Sequence, residues 1–114
     1  MRRVVLESPF AGDVEENVRY AKLAMLDCLK RGDAPIASHL LWTQPGLLDD
    51  ASPEERKLGI VAGLAWTPVA EAVVVYVDRG ISKGMVQGQA RAELAGIPVE
   101  LRNVPGYGEK KESA

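Results

Sequence analysis

The chain has 114 residues, 46% of them apolar, with a formal net charge of −2. That is the size of one domain, long enough to bury about two-thirds of its unfolded surface. The charge balance, without a Lys/Arg cluster, gives no reason to expect direct nucleic-acid binding, and no apolar run approaches the ~18–20 residues of a membrane span. The single cysteine, Cys28, cannot form an internal disulfide, which fits a reducing compartment. The basic start Met1-Arg2-Arg3 meets Glu7 too soon for a signal peptide, so a cytoplasmic location is expected.

Val4-Val5-Leu6 reads as a short buried strand running into the turn Ser8-Pro9-Phe10-Ala11-Gly12, since strands covered on both faces are continuous apolar runs. Asp13 then stands at a helix N-cap with Glu16 three residues on. Val14, Val18, Ala21, Met25, Cys28 and Leu29 form one helical stripe, and Gly32 closes the helix. Ala34 to His39 reads as a second strand ending in Ser38 and His39. From Leu40 to Ala51 no period is clear, which predicts an ordered loop over the sheet edge, with room for one helical turn, carrying Trp42 and the pair Asp49-Asp50. Ser52-Pro53-Glu54-Glu55 starts a helix that Pro68 ends. Its Gly59 and Gly63 each cost up to ~1 kcal/mol relative to alanine, so close packing against a strand, a ligand or another subunit should compensate.

The stretch Glu71 to Leu101 organises the rest. A β-branched run, Val73 to Val77, ends at Asp78; the turn Asp78-Arg79-Gly80-Ile81-Ser82 leads into a helix stopped by Gly96; Ile97 to Leu101 is extended again. This is a βαβ unit, which implies a parallel sheet and right-handed crossover. The element order predicts an α/β three-layer sandwich, flavodoxin- or Rossmann-like, with four to five parallel strands over residues 1–103. Residues 104–114 read as a polar, flexible tail.

Ligands of such sheets sit at the carboxyl ends of the strands. The turns after three strands are therefore expected to converge, with Ser8, Pro9, Phe10, Ala11, Gly12, Asp13, His39, Asp78, Arg79, Gly80, Ser82, Gly84 and Met85 forming a ligand site and Asp78 on its floor. Ser82 as an N-cap followed by Gly84 would let a phosphate or sugar approach the backbone. Asp78, Glu54 and His39 are the candidates for acid/base work. No His/Cys/Asp cluster has metal-ligand spacing, so neither a metal nor a cofactor is expected. Trp42 and Trp66 read as packing or subunit contact before base stacking, and Cys28 as core.

Ser8-Pro9-Phe10-Ala11-Gly12, the helical Gly59-(x3)-Gly63-Leu-Ala-Trp66, Asp78-Arg-Gly-Ile-Ser82-Lys-Gly84-Met and the exit Gly96-Ile-Pro98-Val together resemble the nucleoside 2-deoxyribosyltransferase-like superfamily, most nearly its small phage- or prophage-borne members. The resemblance implies a nucleoside, nucleotide or nucleotide-derived signalling molecule as ligand, and assembly into dimers or larger rings. For a phage-borne member it implies capture of a host defence messenger or adjustment of nucleotide metabolism. The alternative it implies is an enzyme of the N-glycosidic bond, a transferase or hydrolase using Asp78 with Glu54 or His39. It places Asp78 on the substrate-binding aspartate of the transferases. Their nucleophilic glutamate falls, without gaps, on Gly88, flanked by Gln87 and Gln89, whose amides cannot form a glycosyl ester.

Overall fold

The computed structural model describes residues 1–108; the part of the expected tail at 109–114 lies outside the described residues. Its four strands, β1 (Arg2–Glu7), β2 (Asp33–Ile36), β3 (Ala72–Tyr76) and β4 (Val99–Arg102), form one parallel sheet in the order β2-β1-β3-β4. The register pairs Val4 with Pro35 on one side and with Ala72 on the other, and Val73 with Val99. Four α-helices cover it, α1 (Val14–Lys30), the single turn α2 (Ser38–Leu41), α3 (Pro53–Leu64) and α4 (Lys83–Ala95), with a 3-10 turn at Thr67–Val69 leading into β3. The α/β three-layer expectation and the four-stranded parallel sheet are what the structure shows.

Successive strand residues point to opposite faces, and the two cores follow that parity. Val4, Leu6, Ala72, Val74 and Tyr76 pack with Tyr20, Ala24 and Cys28 of α1. Val5, Val73 and Val75 pack with Met85 and Ala92 of α4. Since all five residues of β3 are buried, its apolar run is unbroken.

The helix ends are as the sequence predicts. Asp13 Oδ1 accepts from Glu16 N, Ser52 Oγ from Glu55 N, and Ser82 Oγ from Met85 N. Gly96 closes α4 at φ +71°, the left-handed cap that glycine adopts freely.

Four features differ from expectation. The buried face of α1 is Asn17, Tyr20, Ala21, Ala24 and Cys28, while Val14 and Leu29 are exposed. The face is rotated because two polar groups find partners inside: Asn17 Nδ2 donates to the carbonyls of Phe10 and Ala11, and the Tyr20 hydroxyl donates to Asp78. Ser38 and His39 lie in α2 rather than at a strand end. Gly59 and Gly63 are used within the chain. A Cβ at Gly63 would lie 2.5 Å from Ser38 Oγ, and one at Gly59 would meet Leu48 Cδ1 at 3.3 Å, so α2 and the following loop take the close packing. Finally, the expected tail begins as packed structure: Val104 is buried and Tyr107 stacks edge-on against Tyr20, ring centres 4.6 Å apart.

Candidate functional site

The chain order 1 to 2 runs to one side of the sheet and 1 to 3 to the other, so β1 and β3 flank the switch point where open α/β sheets leave a crevice. A cavity of about 130 Å³ lies there, walled by the end of β1, α2 and its loop, α3 and the start of α4. This is close to the ~150 Å³ of a cavity that takes a benzene ring. Its lining mixes apolar and polar groups: Phe10, Trp42, Leu48, Ile60, Leu64 and Met85 with Glu7, Ser8, Ser38, His39, Thr43 and Ser82. Asp50, Glu55 and Arg56 complete it, Arg56 Nη1 donating to Asp50 Oδ2 at 3.3 Å.

Of the ligand residues expected from sequence, Ser8, Phe10, Ala11, His39, Ser82, Gly84 and Met85 come together around this cavity; Pro9, Gly12, Asp13, Arg79 and Gly80 are not among its walls. Asn17 holds the Phe10–Ala11 carbonyls and so fixes the turn that carries the Phe10 wall. Of the acid/base candidates only His39 lines the cavity; Glu54 does not, although its neighbour Glu55 does.

Asp78 also stands apart, and the reason is strand parity. It shares the parity of Tyr76, which faces α1, whereas the cavity opens on the α3–α4 side. Its carboxylate is taken up locally: Oδ2 accepts from the Tyr20 hydroxyl at 2.7 Å and from Val104 N at 2.8 Å, and Oδ1 from Asn103 Nδ2 at 3.0 Å. These hydrogen bonds outweigh the opposing effect of burial and hold its carboxyl below the ordinary aspartate range. Arg79 is likewise engaged, donating to Asn17 Oδ1 and to the Tyr107 hydroxyl. The Asp78 turn thus ties the residues after β4 to α1.

Glu7, the last residue of β1, is the wall residue that sequence reasoning missed. It has the parity of Val5 and Val75, facing α4. Burial pushes its carboxyl up to about 8, so it is mostly neutral at pH 7. Its carboxyl lies against Gly88: a Cβ there would be 2.4 Å from Glu7 Oε2. Position 88, where the resemblance implies a glutamate on the helix, is therefore the space into which a glutamate from β1 projects. A charged residue ending an apolar strand at the edge of Val4-Val5-Leu6 was the available signal.

His39 is the other perturbed group. Burial holds its imidazole down to about 4, so it is neutral at pH 7, and its Nε2 lies 2.7 Å from Ser8 Oγ in a hydrogen bond. Phe10 meets its ring edge-on, centres 6.4 Å apart. The cavity therefore offers a neutral acid, a neutral imidazole–hydroxyl pair and two aromatic walls. Among the described residues no group of three His, Cys, Asp or Glu side chains is placed to hold a metal ion, and no helix is long and apolar enough to cross a membrane.

This architecture is that of a 2-deoxyribosyltransferase fold. The solved 2-deoxyribosyltransferase of the psychrotolerant bacterium Bacillus psychrosaccharolyticus superposes with a TM-score of 0.68 at 19% identity, covering 97% of this chain and 77% of that one. The CMP N-glycosidase of Clostridium botulinum matches with a TM-score of 0.49 at 15% identity, over 95% of this chain and 75% of that one. No curated protein matches the sequence at a significant level. The family model described as Domain of unknown function (DUF7768) matches residues 2–102, and the chain belongs to that family.

Proposed function

We propose that the crevice at the β1/β3 switch point binds a nucleoside or nucleotide. The observation that carries the reading is the composition of the cleft. Two aromatic side chains, Phe10 and Trp42, line a space the size of a small ring together with hydroxyl, imidazole and carboxyl groups, the combination that a flat base joined to a hydroxylated sugar requires. The fold shared with a 2-deoxyribosyltransferase supports the same ligand class. A ligand held intact would suit a sequestering role toward a nucleotide-derived messenger, which the resemblance to phage-borne proteins implies. Turnover of the N-glycosidic bond is the second reading, favoured by the perturbed Glu7 inside the cleft.

Thermal unfolding against a panel of nucleosides, nucleotides, cyclic dinucleotides and ADP-ribose tests the first reading. A ligand at 100 times its Kd should add about 2.7 kcal/mol. Trp42→Ala should abolish that gain. A panel in which nothing raises the midpoint refutes the proposal.

A further inference from the structure

We propose that Glu7 is the proton donor to the departing base in hydrolysis of an N-glycosidic bond; this rests on the nucleoside-binding reading of the same cleft. The carboxyl groups of the protein are not alike. Among the described residues, every other part-buried or buried carboxylate accepts a hydrogen bond. Glu16, Asp27, Asp33, Asp50 and Glu100 pair with arginines. Glu55 accepts from Asp49 N, and Asp78 is bound as described above. Glu7 accepts none, yet it lines the cavity at the end of a central strand. A part-buried acid with no hydrogen-bond partner among the described residues keeps its bonding capacity free, and a group from a bound ligand would fill it.

The helix facing it is shaped to admit it. Gly88 is buried on α4, and any Cβ there would lie 2.4 Å from Oε2 and 2.5 Å from Cδ of Glu7. The carboxyl occupies the space that a side chain at position 88 would fill.

The chemistry follows from the protonation state. Burial, the sole cause of its raised affinity for protons, leaves Glu7 neutral at pH 7, able to donate. The sole cation among the described walls, Arg56, is paired with Asp50, so the cleft offers a proton rather than positive charge. Of the bonds in a nucleoside, the one between C1′ and the base nitrogen gains most from a proton, because the base leaves poorly as an anion. The Glu7 proton passes to the base as the C1′–N bond breaks, and the bonding pair stays on the base. Water then adds to C1′, forming the new C–O bond, and its surplus proton returns to the Glu7 carboxylate. One base and one free sugar result, and the enzyme is restored.

The test incubates the full chain with the common 2′-deoxynucleosides, ribonucleosides and their 5′-monophosphates at pH 5 to 9. Free base is measured by chromatography, and binding of the same probes by thermal shift. Base release should fall about tenfold per pH unit above pH ~8. Glu7→Gln, neutral and of the same shape, should slow release at least 100-fold while midpoints of binding change less than about threefold. Gly88→Ala, which displaces the carboxyl, should reproduce that loss with an unchanged far-ultraviolet spectrum. Base release by Glu7→Gln at the wild-type rate overturns the proposal. Binding without base release at any pH in the wild type also overturns it and leaves the binding reading standing. If no probe binds, the binding reading falls and takes this proposal with it.

Discussion

Replacing Glu7 by glutamine should stabilise the protein, and by an amount that grows with pH. The folded carboxyl titrates near 8 where an ordinary glutamate titrates at 4.5. Below pH ~4.5 both the folded and unfolded chains hold the proton, and the group costs nothing through ionisation. Between 4.5 and 8 the unfolded chain gives it up while the folded one keeps it, so stability is lost as pH rises through that window. Each tenfold difference in proton affinity corresponds to about 1.36 kcal/mol. At pH 7, with two and a half of those decades traversed, the wild type is about 3 kcal/mol less stable than a chain without the titration. At pH 8 and above, the loss approaches about 4–5 kcal/mol. Glutamine keeps the shape and the neutral charge but has no proton to lose. Urea denaturation of wild type and Glu7→Gln at pH 4.5, 7 and 8 measures the difference directly. It should be close to zero at the lowest pH and about 3 kcal/mol at pH 7, or on the order of 10 °C in Tm for a domain of this size. A difference independent of pH would show that the Glu7 side chain is solvated in solution, and the argument from its burial would fail.

Three further outcomes follow from the same structure. His39 is held neutral down to about pH 4 against an ordinary 6.5; the unfolded chain takes up its proton first, so stability falls as pH drops through that interval. His39→Asn should remove about 3 kcal/mol of that acid-side loss, read by denaturation at pH 4 against pH 7. Asp78→Ala should cost about 2–4 kcal/mol, because it leaves the buried Tyr20 hydroxyl and Val104 N without their acceptor. Ligand-induced thermal shifts should survive in that variant, and their disappearance would put Asp78 back at the binding site. The chain should assemble at least into dimers, since Leu58 and Val61 of α3 are 58% and 57% exposed; light scattering that finds monomer alone at micromolar concentration would refute this.

Much of the fold was legible because its determinants are local. The apolar runs at Val4–Leu6 and Val73–Val77, the caps Asp13, Ser52 and Ser82, and the stop at Gly96 each announce themselves within a few residues. The candidate site was harder. A strand buried on both faces shows no alternation, so β3 does not reveal which of its residues face α1 and which face α4. Asp78 and Glu7 were therefore indistinguishable in kind, each a carboxylate just past an apolar run. Only the packing of Tyr20 and Met85 on opposite faces assigns one to a structural tie and the other to the cavity. The stretch from Leu40 to Ala51 had no period because its order is tertiary: Trp42 and Leu48 rest on the glycine face of α3. The stripe drawn for α1 was displaced by Asn17 and Tyr20, polar residues whose burial depends on partners tens of positions away in the case of Tyr20 and Asp78.

The two carboxylates show how one fold separates tying from acting. Asp78 carries three donors onto its oxygens and is held ionised, so it joins α1 to the residues after β4 at a depth where an unpaired charge would be costly. Glu7 is placed on the opposite face, where no donor among the described residues reaches its carboxyl and α4 presents the bare backbone of Gly88 to it. Supplying Glu7 with an arginine would remove its destabilising effect above pH 4.5, and the same pairing would hold the carboxyl ionised and deprive the cleft of its proton donor. Stability and a poised acid are thus exclusive at this position. The test of that exclusivity is a pair of measurements on one variant: Glu7→Gln should be the more stable protein at pH 7 and the less active one, whereas a gain in stability with undiminished turnover would separate the two properties and leave the unpartnered carboxyl without a purpose.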